Sequence, residues 1–400
     1  MTDDQEHPAA AATPISFNRL GPFYRLQRRL GLLSDADLAA GRRALLFAAL
    51  AWGPAVLLAV VEGVAWHANH ERAILFDFSA YAFALAIAAF VLMEATSDRR
   101  MAALVAQFSA RGIVRDRARA GLQQARRHME RRTGSALAEA ALAIAAYVLT
   151  WTWLRHAVQS APDGTWFGRM NGGSVEFTLA GWWVQLVALP LYWFLFGRWV
   201  WRFGTWGLML YDLSCCDLRL VATHPDRCGG LAFIGQYPKT YTLFVFAEST
   251  VVSATVLKLI VHGDASLMSF KFALFGMVAF FALAFIVPLF VFTPMLTRLK
   301  REGLSHYGSL ASQHNLAFEA RWIEGQGGER GDALLGGPDA SSLADLAAGY
   351  DLVKNMRSAP VTKESVIPIV LAALAPLVCV AATQAPIGEV LKVAKGLLLL

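Results

Sequence analysis

The sequence predicts an all-α fold, a polytopic transmembrane helical bundle of six to seven spans with cytoplasmic helical extensions, and three observations carry the prediction. Of its 400 residues 56% are hydrophobic and 16% charged, with a mean hydropathy of +0.44, a balance foreign to water-soluble domains. The apolar residues gather in blocks of about 18 to 25. That is the length a helix rising about 1.5 Å per residue needs to cross a hydrocarbon core about 30 Å thick. Arginine and lysine collect in every second connection between the blocks, the asymmetry that insertion into a membrane leaves behind.

Residues 1–43 form an N-terminal arm, of which Met1–Pro14, rich in Ala, Pro and acid, is expected to lack structure. The arm is too long and polar to be the front of a cleaved signal peptide, so the first span serves as its own insertion signal. Residues 44–96 hold span one (Ala44–Trp66) and span two (Leu75–Ala95). In the Arg-rich segment 97–135, Met101, Leu104, Val105 and Phe108 recur at helical spacing, so it should extend a span as helix. Residues 136–196 supply span three (Ala136–Leu154) and span four (Ala180–Phe196), and 197–240 form a polar segment with a His-Pro-Asp sequence. Residues 241–292 supply span five (Tyr241–Val261) and span six (Phe270–Phe292). Segment 293–365 is helical on either side of the Gly-rich stretch Gly325–Gly337. Residues 366–400 hold a seventh span, Val366–Thr383, interrupted by Pro368 and Pro376, and an amphipathic tail, Pro386–Leu400, expected to lie in the interface. Pro190, Pro288 and Pro294 are placed to kink spans four and six. No internal repeat is evident.

Orientation follows from the basic residues. Residues 98–132 contain ten arginines against three acids, whereas the loops after spans one, three and five are nearly free of base, which puts the N-terminus in the cytoplasm. Alanine-rich, arginine-dominated composition is that of GC-rich bacterial genomes, so a multi-pass protein of the bacterial inner membrane is expected. Its arginines should meet anionic inner-leaflet lipids, worth about 1 kcal/mol per basic residue, rather than nucleic acid. Trp182, Trp183, Trp193, Trp199, Trp201 and Trp206 bracket span four as interfacial belts would. A homo-oligomer is compatible with all of this. Cys215, Cys216, Cys228 and Cys379 form no CxxC pair and read as free thiols.

The polar stretch LRLVATHPDRCGGLAFIGQYPKTY, residues 218–241, is the richest in chemical groups. Its candidate binding residues are His224, Asp226, Arg227, Cys228, Gly229, Gly230 and Lys239. One reading is a tight turn, with Asp226 bonding local backbone and the glycines supplying positive φ. A second is an anion site made by Arg227, Lys239 and the N–H groups of the glycine pair. A third, with His224, Asp226, Cys228 and Cys215 or Cys216 around a metal, matches no established spacing, and no metal or other cofactor is expected. The tripeptide also occurs in J-domain co-chaperones, but the flanking helices those domains need are missing.

Within the spans, Glu248 is the clearest ionisable residue near a midpoint, where an unpaired carboxylate costs several kcal/mol, so it should face the bundle interior. Ser249 and Thr255 belong with it as intramembrane polar candidates, along with Thr250 and Ser253. Either an ion or proton carrier or a structural interhelical hydrogen bond accounts for Glu248. Lys258 is expected to reach outward, and Glu62 and Glu94, at the ends of spans one and two, to be exposed at the interfaces.

PFYRLQRRLGLL near the start, THPDRCGGL in the middle and LGGPDASSLADLAAGYDLVKNMRSAP near the end together resemble a group of bacterial multi-pass inner-membrane proteins with no assigned activity. The resemblance covers most of the chain and implies no function. From the residues themselves an ion or small-solute channel or transporter is favoured, because it gives the buried acid a role. A non-catalytic scaffold or regulatory subunit is the alternative. An interfacial enzyme on a lipid substrate comes behind, since no HExxH or GxSxG accompanies His224.

Overall fold

The computed structural model describes residues 18–34, 38–66, 73–161, 164–262, 265–324 and 338–384. The expectations for Met1–Pro14, for the Gly-rich stretch Gly325–Gly337 and for the tail Pro386–Leu400 lie outside the described residues. The chain is an all-α, multi-pass membrane bundle: seven of the described helical stretches are long and apolar enough to cross a membrane. They are Ala40–Val61, Phe78–Ala110, Ala136–Gln159, Leu179–Ser214, Ala232–Val261, Leu267–Trp322 and Lys363–Ala381.

Helix α1 (Pro22–Arg29) is short and precedes the first span, α2 (Ala40–Val61). Helix α3 (Phe78–Ala110) starts where Asp77 accepts from Ser79 N–H and runs well beyond the apolar block. Met101, Leu104, Val105 and Phe108 are all buried along its extension, as their spacing predicts. Then come α4 (Asp116–Thr133) and α5 (Ala136–Gln159), the latter capped by Ser135. Beyond α5 a two-stranded antiparallel hairpin, β1 (Gly168–Asn171) and β2 (Ser174–Phe177), leads into α6 (Leu179–Trp183). The carboxylate of Glu62 accepts from Leu179 N–H (2.8 Å) and Ala180 N–H (3.4 Å), so that exposed acid holds the start of α6.

A π-helical turn, Val184–Ala188, joins α6 to α7 (Leu189–Ser214), with Pro190 in the first turn of α7. The helix of span four continues past Phe196: α7 remains helical to Ser214 and carries Arg198 and Arg202 with it. Residues Ala232–Tyr241 form 3-10 helix that feeds α8 (Thr242–His262). Helix α9 (Lys271–Ile286) passes through a 3-10 segment at Val287–Phe292, where Pro288 lacks the donor for a regular turn, into the 30-residue α10 (Thr293–Trp322). Helix α11 (Pro338–Lys354) packs back on α10, and α12 (Lys363–Ala381) is continuous through Pro368 and Pro376, so neither proline breaks it.

At the centre α8 packs between α3 and α12, α2 lies on α3, and α5 lies on α7. Small residues allow the close approach: Ala44, Ala51, Ala55 and Ala59 of α2 and Ala82, Ala86 and Ala89 of α3 are buried. The tryptophans of span four divide. Trp182 and Trp201 are exposed as a belt requires, whereas Trp199 and Trp206 are buried, Trp199 donating to Phe90 O (3.0 Å).

Candidate functional site

The His-Pro-Asp stretch is a closed turn. Asp226 Oδ1 accepts from Cys228 N–H (2.8 Å) and Gly230 N–H (3.1 Å), and Oδ2 accepts from Ala232 N–H (3.0 Å). The carboxylate thus caps the first turn of the 3-10 helix that leads into α8. His224 Nδ1 stands 2.9 Å from Asp226 Oδ1. Arg227 at φ 57° and Gly229 and Gly230 at φ 64° and 101° make the reversal, and only the glycines adopt such angles without strain. Burial opposes ionisation of Asp226. The three N–H donors and the nearby imidazole outweigh it and hold the carboxyl below the usual range.

Two distant segments rest on this turn. Arg357 N–H donates to Arg227 O (2.7 Å), Cys228 Sγ faces Ala359 O (3.8 Å), and Gly229 lies against Leu296 and Leu299 of α10. Just upstream, Arg219 N–H donates to Ile113 O (2.7 Å), tying in the link between α3 and α4. Burial, then the neighbouring Asp226 carboxylate, push the Cys228 thiol up to about 11, so it stays protonated at neutral pH.

The turn therefore supplies its own anion to the N–H groups an outside anion would need. Lys239, expected to join such a site, instead pairs with Glu364 (3.2 Å), while its carbonyl accepts from Arg100 (2.7 Å). Cys228 points away from His224, and among the described residues no group of three or more His, Cys, Asp or Glu side chains could hold a metal ion.

A second polar centre was not foreseen. Glu94 is not exposed at the interface but 3% exposed, enclosed by three arginines. Arg43 of α2 donates to its Oε2 (2.6 Å), and Arg202 of α7 approaches Oε1 at 3.3 Å, with Arg198 at 3.6 Å. Arg198 also pairs with Glu139 of α5 (3.5 Å) and lies over the Phe23 ring (4.6 Å to its centroid). Phe23 N–H donates to Glu139 (2.7 Å), Gln27 accepts from Arg43 (2.8 Å), and the Asn18 amide donates to Glu94 O (2.7 Å). Residues 18–29 thus close the network from the side of the chain's start. Arg198 and Arg202, four apart on one helical face, were the available signal.

The third centre is Glu248, which faces the interior as expected. Both its oxygens lie 3.0 Å from the Tyr192 hydroxyl of α7. Ser249, fully buried, donates to Ala373 O of α12 (2.5 Å). Ser253 is buried with a hydroxyl that makes no hydrogen bond. Thr255, about 10 Å along α8 from Glu248 on nearly the same side, is exposed and bonds back to Val251 O (3.0 Å), so its hydroxyl is not offered to the site. Lys258 does not reach outward unpaired: its ammonium lies 3.4 Å from Asp77, the cap of α3, which also accepts from the Trp166 indole (2.8 Å).

These groups occupy three depths of the α3, α7 and α8 interface. Asp77 and Glu94 are separated by about 25 Å along α3, and Glu248 stands about 15 Å from Lys258 along α8, at about 1.5 Å of rise per residue. Glu248 thus lies between the Asp77–Lys258 pair and the Glu94 network. On the Glu94 side Phe90 packs against Tyr192 (5.9 Å between ring centres) and Phe244 (5.6 Å), and Phe196 against Phe244 (5.6 Å). No protein-family model, no curated protein and no solved structure matches the chain.

Proposed function

We propose that the protein carries an ion or small solute across the membrane along the α3, α7 and α8 interface, with Glu248 as the carrier group. The observation that carries this reading is the contrast among the acids at the helix interfaces, of which Glu94, Glu139 and Asp77 are buried and Glu248 is half-buried. Glu94 and Glu139 are held by arginines and Asp77 faces Lys258, but among the described residues the Glu248 carboxyl meets only a neutral phenol, Tyr192. A carboxyl deep in the apolar layer without a cation costs several kcal/mol when ionised, and groups of that kind mark transport paths. The aromatic block of Phe90, Phe196 and Phe244 serves as the barrier between Glu248 and the arginine-rich end. In this reading the protein lies in a bacterial inner membrane with the arginine-rich end in the cytoplasm.

The second reading is a scaffold or regulatory subunit. What favours it is the His-Pro-Asp turn and the stretch of chain before it, where the α3–α4 link, α10 and the α11–α12 link are fastened together.

Ion flux into proteoliposomes separates the two. Glu248→Gln preserves shape and the Tyr192 contact but removes the titratable group. Transport predicts that flux falls to the leak of empty vesicles while the purified variant keeps its size-exclusion profile. A scaffold predicts no flux from either protein.

A further inference from the structure

Resting on the transport reading, we infer that the ion carried at Glu248 is a proton. The site's donor set decides this. A hard metal cation gives up its water only to a shell of about six or more oxygens, or to a ring of carbonyls aimed at one point. Around Glu248 the neighbouring hydroxyls are turned elsewhere: Ser249 to Ala373 O, Thr250 to Phe246 O (2.7 Å) and Thr255 to Val251 O. Among the described residues one carboxyl and one phenol remain. That pair cannot rebuild a hydration shell, but it suffices to take up and hand on a proton.

The charges on the surrounding helices point the same way. From α3, Asp77 and Glu94 are neutralised by Lys258 and by the arginines. From α7, Arg198 and Arg202 are engaged with Glu94 and Glu139, which leaves Tyr192, among the described residues, as the titratable group facing Glu248. The described apolar run of α12 brings a carbonyl, that of Ala373, and the thiol of Cys379. An anion is repelled by the carboxylate and finds the arginines occupied. The step needs no co-reactant. The carboxylate takes a proton from one side and becomes a neutral acid, Tyr192 turns from donor to acceptor, and the proton leaves to the other side.

The test is a proteoliposome assay with a trapped pH-sensitive dye, an imposed potassium diffusion potential, and parallel uptake of sodium, rubidium and chloride tracers. The expected result is potential-driven proton flux that persists when sodium is replaced by an impermeant organic cation. It is lost in Glu248→Gln, partly kept in Glu248→Asp, and slowed with a displaced pH profile in Tyr192→Phe. Tracer uptake abolished by Glu248→Gln, with no proton flux, would overturn the proton assignment and leave transport standing. Proton flux unchanged in Glu248→Gln would overturn the assignment as well. Absence of every flux from folded protein would overturn both.

Discussion

Glu94→Gln is expected to destabilise the protein by about 3–5 kcal/mol, the cost of removing one partner from a buried ion network. The glutamine amide can still accept from Arg43, but it leaves three buried guanidinium groups, those of Arg43, Arg198 and Arg202, facing the single carboxylate of Glu139. Since residues 18–29, α2, α3, α5 and α7 all contribute to the network, the loss reaches the packing of five segments together. Thermal unfolding of the detergent-solubilised variant measures it. Glu62→Gln is the internal control, because that exposed carboxylate caps only the start of α6 and should cost little. Adding Arg202→Gln to Glu94→Gln should recover part of the loss by restoring charge balance. Equal, small effects from Glu94→Gln and Glu62→Gln would mean that water screens the network.

Asp226→Asn is expected to cost about 2–3 kcal/mol at neutral pH, from weakened bonds to three half-buried N–H donors. The asparagine can present one oxygen, so its amide nitrogen must face a donor, either Ala232 N–H or the pair at Cys228 and Gly230. The pH dependence follows from the depressed carboxyl. Because the folded protein binds the Asp226 proton more weakly than the unfolded chain does, the contribution is fully present above the unfolded value of about 4 and is lost as pH falls through the lower folded value. Comparing unfolding at neutral pH and at pH about 3 should therefore show the gap between wild type and Asp226→Asn narrowing in acid. A gap independent of pH would remove the carboxylate from the account of the turn.

Much of this architecture was legible in the sequence, and the parts that were not share one cause. Apolar blocks fix which segments cross the membrane, and the burial of Met101, Leu104, Val105 and Phe108 follows from helical periodicity alone. The turn at His224–Gly230 was readable for the same kind of reason: Asp and Gly act on their own backbone within a few residues. Glu94 was misplaced because hydropathy reports depth along a helix but not what neighbouring helices bring. Its partners come from positions that look like loop or arm: Arg43 before the first apolar block, Arg198 and Arg202 after the fourth. Falling hydropathy after Phe196 marks the end of the apolar block but not of the helix, since α7 continues to Ser214. Lys239 and Thr255 failed for the converse reason, since nearness in sequence set them with the turn and with Glu248, while Lys239 is drawn to Glu364 and Thr255, two turns along α8, spends its hydroxyl on Val251 O of its own helix.

The most direct test of the transport path is a cysteine scan of α8 in a protein with Cys215, Cys216, Cys228 and Cys379 replaced, using a membrane-impermeant, water-soluble thiol reagent. A path that passes Glu248 predicts labelling at Phe244, Val245 and Val251, the buried and half-buried positions three or four residues from Glu248 on its own face of α8, and none at Thr250 and Leu257 on the opposite side. A buried face that never reacts, in protein that reaches the membrane and stays folded, would contradict the account and make the Glu248–Tyr192 contact an interhelical fastening.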